Sequence, residues 1–256
     1  MADRVAVVTG ASGGIGRATA RELARTGFAV VVTAREVDRL DATVDELRAF
    51  GATVEPVACE VTDEDSVAAG VAAADTLGVV HTVVANAGVP GPVAPLHEVT
   101  AAQWRDCLAT NLDGVFLTFR PFLPGLIERR SGSLIAVGSM TGKRPMPNRG
   151  PYAASKLGLI GLVRTLATEL GPSGVRANCV CPGPVDSDRL DTLVRRNAAR
   201  DGIPEADARA AFTGISPMGR AVTADEVAAM CAFLASDAGA GITGEDVNVS
   251  AGAVMY

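Results

Sequence analysis

Tyr152 and Lys156 stand four residues apart in the run Pro151-Tyr-Ala-Ala-Ser-Lys156, and these two residue types at that spacing can form a proton-transfer pair. On a helix, residues i and i+4 share a face. An ammonium held beside a phenol favours the phenolate and draws the tyrosine pKa down from its reference of about 10. Tyr152 is therefore a candidate general acid/base. A bare Tyr-x-x-x-Lys also occurs on ordinary helix faces with a solvated lysine, so the weight falls on what precedes it in the chain.

Near the N-terminus a β-branched run, Val5 to Thr9, leads through Gly10-Ala-Ser-Gly-Gly-Ile-Gly16 into an amphipathic stretch ending at Thr26. The glycines at 10, 14 and 16 leave the backbone bare where a strand hands over to a helix. There an anionic pyrophosphate can approach the free amides of the helix N-terminus. The spacing is Gly-x-x-x-Gly-x-Gly, which differs from the Gly-x-Gly-x-x-Gly of two-domain dehydrogenases.

These groups need a scaffold, and the rest of the chain supplies its pattern. Short strand-like runs at Val5 to Thr9, Ala29 to Thr33, Thr53 to Ala58, Val79 to Ala85, Ser133 to Gly138, Val175 to Cys181 and Glu245 to Val249 alternate with helical stretches. The helices are expected at Ile15 to Thr26, Val37 to Phe50, Glu64 to Ala74, Ala101 to Arg129, Tyr152 to Leu170 and Thr223 to Ser236. This is the βαβ signature of an α/β fold: a doubly wound, Rossmann-type parallel sheet of about seven strands with helices on both faces. One domain over 1–256 is the simplest account. The segment from Gly183 to Arg220 breaks the rhythm. It is mostly polar, carries Pro184, Pro204 and Pro217, and is expected to hold only short helical stretches and to serve as a lid on the ligand side of the sheet.

Composition narrows the function classes. The formal charge is −6, and no dense lysine or arginine block offers a nucleic-acid face. No apolar stretch reaches the roughly 18 residues of a membrane span, and the chain from Met1 runs directly into a strand pattern without a leader. Cys59, Cys107, Cys179, Cys181 and Cys231 show no disulfide-scaffold spacing and are read as reduced, which points to the cytoplasm. Cys179-Val-Cys181 could suggest a soft metal but has no nearby histidine to complete a tetrahedral site, so no metal is expected. His81 and His97 have the context of neither a metal site nor a nucleophile and its base.

Taken in order, the Thr9 to Gly16 loop, Asn86-Ala-Gly88, Asn111, Ser139, Tyr152 with Lys156, and Pro182-Gly183 resemble the short-chain dehydrogenase/reductase family over essentially the full chain. The resemblance implies a single Rossmann-type domain assembled as a homotetramer or homodimer. It implies a dinucleotide held by Gly10, Ser12, Gly14, Ile15, Gly16, Arg35, Glu60, Val61, Asn86, Ala87, Gly88, Tyr152, Lys156, Pro182, Gly183, Val185 and Ser187. It further implies that Ser139 hydrogen-bonds the substrate oxygen and Tyr152 protonates it while hydride reaches the carbonyl carbon from the nicotinamide. Lys156 would bind the nicotinamide ribose and lower the Tyr152 pKa, and Asn111 would hold a water linking Lys156 to solvent.

Cofactor choice turns on Thr33-Ala34-Arg35 at the end of the second strand. Ala34 stands where NAD-preferring relatives usually carry aspartate, and Arg35 offers a guanidinium suited to a 2′-phosphate. NADP(H) is expected, with NAD(H) as the alternative because Gly13 is not basic and Glu36 could turn inward. Glu60 replaces the aspartate that relatives place against the adenine. The expected reaction interconverts a ketone and a secondary alcohol. The pattern is closest to 3-oxoacyl thioester reductases and polyketide ketoreductases, so the partner is a small ketone or alcohol, a thioester among the options. A non-catalytic dinucleotide sensor or scaffold and an NAD-dependent secondary alcohol dehydrogenase are the competing readings. The substrate pocket is expected from Val89 to Leu96, Met140 to Gly150 and the lid. Lys143, Arg144 and Arg149 read either as a solvated rim or as a site for an anionic tail, a carboxylate or a phosphopantetheine.

Overall fold

The computed structural model describes residues 4–256. Among these residues, seven parallel strands form one sheet in the order β3-β2-β1-β4-β5-β6-β7. They are β1 (Val5–Thr9), β2 (Ala29–Ala34), β3 (Val54–Ala58), β4 (Val80–Ala85), β5 (Gly132–Val137), β6 (Val175–Pro182) and β7 (Asp246–Val249). The central strands are covered on both faces, and alternation along each strand divides the core in two. Val5, Val7, Val83, Leu134 and Ala177 face one layer, while Ala6, Val8, Val84, Ile135 and Val180 face the other. Pro56, which has no N–H for a ladder, lies in the edge strand β3.

The helices are α1 (Gly14–Arg25), α2 (Asp41–Ala49), α3 (Glu64–Leu77), α4 (Ala101–Leu108), α5 (Gly114–Phe119), α6 (Leu123–Arg129), α7 (Met140–Lys143), α8 (Gly150–Leu170), α9 (Asp188–Asp201), α10 (Glu205–Thr213) and α11 (Ala224–Ala235). Leu23 of α1, Leu47 of α2 and Leu234 of α11 pack on one face of the sheet, and Phe119 of α5 and Leu159 of α8 on the other. After β1 the chain moves outward to β2 and β3, then returns to place β4 on the other side of β1. That reversal opens a crevice at the C-terminal ends of β1 and β4, the place where open α/β sheets bind ligands.

Three helical expectations need correction. The stretch Ala101 to Arg129 is not one helix: a π turn at Ala109–Asp113 and a 3-10 turn at Arg120–Phe122 interrupt it. Pro121 and Pro124 lack the N–H that a continuous helix would use there. The stretch from Val37 begins as a 3-10 turn, Val37–Leu40, before α2. The Gly183 to Arg220 segment is more helical than its polarity suggests, because α9 and α10 occupy much of it. Leu190, Val194 and Ala198, spaced i, i+4 and i+8, bury one face of α9 against Ala208 and Phe212 of α10. Ser187 caps the start of α9 and Gly202, with φ 66, ends it.

α7, which has no counterpart in the sequence pattern, sits directly on α8. Its Gly142 leaves room for no side chain: a Cβ would lie 2.8 Å from the Lys156 carbonyl carbon and 2.9 Å from the Leu157 nitrogen. Lys143 ties α7 to β7 through Asp246 at 2.7 Å, and Arg164 of α8 reaches the same carboxylate at 2.6 Å. Burial pushes the Asp246 carboxyl up, but these two cations outweigh it and hold it below its ordinary value. Gly142→Ala is expected to destabilise the protein by about 1–3 kcal/mol in urea unfolding through overpacking. Because the clash is with backbone at Lys156, turnover should fall along with stability.

Candidate active site

At the C-terminal ends of the strands lies a cavity of about 830 Å³ that runs from the glycine-rich loop to α8 and α9. Every cofactor-binding residue expected from the sequence lines it, as do Ser139, Tyr152 and Lys156. Asn111 does not. It is fully buried in the π turn behind the wall.

The loop is shaped by close approach. Gly10, at φ 66, adopts a left-handed conformation that favours glycine. A Cβ on Gly16 would lie 2.3 Å from the Gly10 carbonyl oxygen and 2.5 Å from Asn86 Nδ2, so only glycine lets α1 begin there. Asn86 Nδ2 donates to the carbonyls of Thr9 at 2.9 Å and Gly10 at 3.0 Å. Thr9 Oγ1 accepts from the amides of Asn86 at 3.0 Å and Ala87 at 3.1 Å. The Asn86-Ala-Gly88 turn is thereby stapled to the loop across the crevice, and the sequence offered only the threonine's place at a strand end as a signal for Thr9. The bare α1 N-terminus and these glycines fit a pyrophosphate.

At the far end of β2, Arg35 and Arg39 both line the cavity, whereas the exposed Glu36 does not. The sequence pattern singles out only Arg35. Arg39 lies four residues on, within the 3-10 turn, and that turn brings it to the same wall. The Glu60 carboxylate is folded back, accepting from the Thr62 amide at 3.2 Å and hydroxyl at 3.0 Å.

Near the other end of the cavity, Tyr152 and Lys156 lie on the buried face of α8, 8 % and 4 % exposed. Pro151 occupies the first turn of that helix, where no N–H is required. Lys156 Nζ donates to the Val137 carbonyl at 2.8 Å and lies 5.8 Å from the centroid of the Tyr152 ring. Ser139 follows β5, caps α7 and accepts from the Thr141 amide at 3.1 Å. One lone pair is used in this way, and the hydroxyl proton remains available to a ligand oxygen. The Asn111 amide is committed to Val89, accepting from its N–H at 2.8 Å and donating to its carbonyl at 3.0 Å. Gly88 lies between these groups: a Cβ there would be 3.0 Å from Asn111 Oδ1 and 3.7 Å from Lys156 Nζ.

The basic run before Tyr152 divides. Lys143 and Arg144 are held by partners near the C-terminus, Asp246 and the Ala253 carbonyl, the latter at 3.1 Å. Arg149 turns into the cavity and is buried, so a solvated rim does not describe it. Behind Gly138, the Cys179 and Cys181 sulfurs lie 3.8 Å apart in the core. The hydrogen bond between them, together with burial, pushes the Cys179 thiol well up. Among the described residues no group of three or more histidine, cysteine or acidic side chains could hold a metal. Nor is any helix among them long and apolar enough to cross a membrane.

The family profile described as "Enoyl-(Acyl carrier protein) reductase" matches residues 10–254. The chain belongs to the short-chain dehydrogenase/reductase family. It is thus an oxidoreductase acting on keto and hydroxyl groups. A granaticin polyketide synthase putative ketoacyl reductase of Streptomyces violaceoruber is 38 % identical over 98 % of this chain and 93 % of its own. A cis-4-hydroxycyclohexanecarboxylate dehydrogenase of Sinomonas cyclohexanicum is 40 % identical over 98 % and 96 %. Among solved structures, a variant of actinorhodin polyketide ketoreductase with NADPH superposes with a TM-score of 0.94 at 35 % identity, covering 99 % of this chain and 98 % of that one.

The loop geometry carries a direct test within this family fold. Gly16→Ala is expected to weaken dinucleotide affinity by more than a hundredfold, read from the fluorescence of the reduced dinucleotide, because its Cβ cannot be placed without moving the loop backbone.

Proposed function

We propose that this short-chain dehydrogenase/reductase is an NADP(H)-dependent ketone reductase that uses Tyr152 as its general acid. The observation that carries the reading is a single cavity with Tyr152, Lys156 and Ser139 on one part of its wall and Arg35 with Arg39 on another. When bound, the nicotinamide supplies the hydride for reduction, or accepts it in reverse.

The protein's own groups do the rest. Ser139 donates its hydroxyl proton to the substrate oxygen, and Tyr152 transfers a proton to that oxygen as negative charge develops there. The Lys156 ammonium, fixed by the Val137 carbonyl, favours the phenolate that Tyr152 leaves behind. Asn111 fixes Val89 opposite α8. Any water it carries for a proton relay would sit at its main-chain carbonyl, since its amide is committed. Pro182, Gly183, Val185 and Ser187 would meet the nicotinamide side of the cofactor, with Ser12, Ile15, Val61 and Ala87 along its length.

The NADP(H) preference is supported by two arginines at the β2 end, by Ala34 in place of a carboxylate, and by the actinorhodin relative, whose crystal structure is with NADPH. A non-catalytic sensor would have no use for a buried acid beside a buried lysine, and the relatives are named as reductases and dehydrogenases. The proposal includes one domain over 1–256 with a lid over about 183–220, since Leu190, Leu193 and Phe212 line the cavity. A small-molecule ketone or alcohol as substrate, assembly as a homodimer or homotetramer, and a cytoplasmic setting complete it.

The deciding experiment is carbonyl-dependent oxidation of NADPH, with NADH in parallel, across β-ketoacyl thioesters, diketones, cyclic ketones and quinones. Turnover that favours NADPH is expected. Tyr152→Phe should reduce turnover below a few per cent of the parent rate while dinucleotide still binds, and a higher residual rate would remove Tyr152 as the acid. In the double variant Arg35→Ala, Arg39→Ala, the ratio of NADPH to NADH kcat/KM should fall by about ten- to a hundredfold, the range of one or two lost charge-assisted contacts.

A further inference from the structure

Arg149 is a buried cation that lines the cavity beside Tyr152. The residue is 9 % exposed, and its guanidinium carbon stands 4.4 Å from the centroid of the Tyr152 ring. The cavity wall also includes Val89, Val93, Met140, Met146 and Pro147. A guanidinium on that wall presents planar N–H donors to an anion bound in the cavity beside the phenol. The other cations along the cavity serve elsewhere. Arg35 and Arg39 lie at the β2 end, Lys156 is bound to Val137, and Arg200 grips Asp201 through two bonds of 2.7 Å. Lys143 and Arg144, its companions in sequence, are turned toward the C-terminal segment.

We propose that Arg149 binds a carboxylate of the substrate, and that the substrate is a compact keto acid or hydroxy acid with an apolar body. This rests on the ketone reductase reading above. The planar fork of a guanidinium matches a carboxylate with two parallel hydrogen bonds. Because Arg149 stacks over the phenol, the carboxylate lies within a small ring's breadth of the carbonyl that Tyr152 protonates. A carrier-bound thioester is neutral at that distance. The phosphate of its phosphopantetheine is separated from the ketone by the whole arm, too far to reach a group against the phenol. A cyclohexane ring bearing both functions, as in the name of the Sinomonas relative, has the size and charge pattern this wall describes.

The test compares 4-oxocyclohexanecarboxylate with its carboxamide, two ketones of nearly the same shape that differ in charge, in NADPH-dependent reduction by the full chain. The parent protein is expected to favour the carboxylate at least tenfold in kcat/KM. Arg149→Gln should reduce that preference below threefold, chiefly through KM for the carboxylate, and Arg149→Lys should retain part of it. Reduced-dinucleotide fluorescence reports whether each variant still folds around its cofactor. A parent protein without a carboxylate preference would overturn the proposal. So would a preference that survives in Arg149→Gln while both substrates slow together, the pattern of a residue that only packs on Tyr152. Turnover of neutral ketones in either case would leave the ketone reductase reading standing. Tight NADPH binding with no ketone reduced at all would overturn both.

Discussion

Lys156 and Val137 meet through a hydrogen bond of 2.8 Å between a buried ammonium and a main-chain carbonyl at the end of β5. An ammonium in that position loses most of its hydration and must be met by fixed acceptors. By donating to Val137, Lys156 fixes the register of α8 against the sheet, and with it the place of Tyr152 one turn earlier. The same strand end leads through Gly138 to Ser139, so the two groups proposed to meet the substrate oxygen are referenced to one point in the backbone. Helix α7, wedged between them with Gly142 against the Lys156 backbone, removes the slack that remains.

A second constraint is the reversal of strand order at β1 and β4. It leaves two strand ends side by side with no crossover above them, and the chain fills the gap with hydrogen bonds between Thr9, Gly10 and Asn86. The glycine-rich loop is consequently not a flexible flap. It is tied to β4, just as α8 is tied to β5, so the proposed dinucleotide cradle and the proposed acid/base pair share one rigid reference, the central strands. Such preorganisation allows donors to face developing charge without rearrangement.

Much of this is legible in the sequence. The central strands and their approximate limits follow from β-branched runs, because parallel strands buried on both faces favour such composition, while the edge strands β3 and β7 carry polar residues as well. That the short motifs line one cavity is legible too, since they sit at strand ends where the topology brings them together. Less visible were features set by packing. The π turn that buries Asn111 has no marker in the run Ala-Thr-Asn-Leu-Asp. Helix α9 hid behind its polarity, although Leu190, Val194 and Ala198 already had helical spacing. The three basic residues before Tyr152 looked equivalent in sequence, yet Asp246 and the Ala253 carbonyl, about a hundred residues further along the chain, capture two of them.

By itself the sequence determined the sheet, the glycine-rich loop and the placing of Tyr152 and Lys156 on one helix face, because local periodicity and a four-residue helical spacing are properties of neighbouring residues. Only the tertiary structure decided where each charge comes to rest. Arg39 joins Arg35 through a 3-10 turn, Glu60 folds back on Thr62, and Lys143 leaves the pocket for Asp246 while Arg149 enters it. The physical reason is that a charged side chain goes where its desolvation is best compensated. The compensating groups come from strands and helices distant in sequence, so no local pattern can announce them.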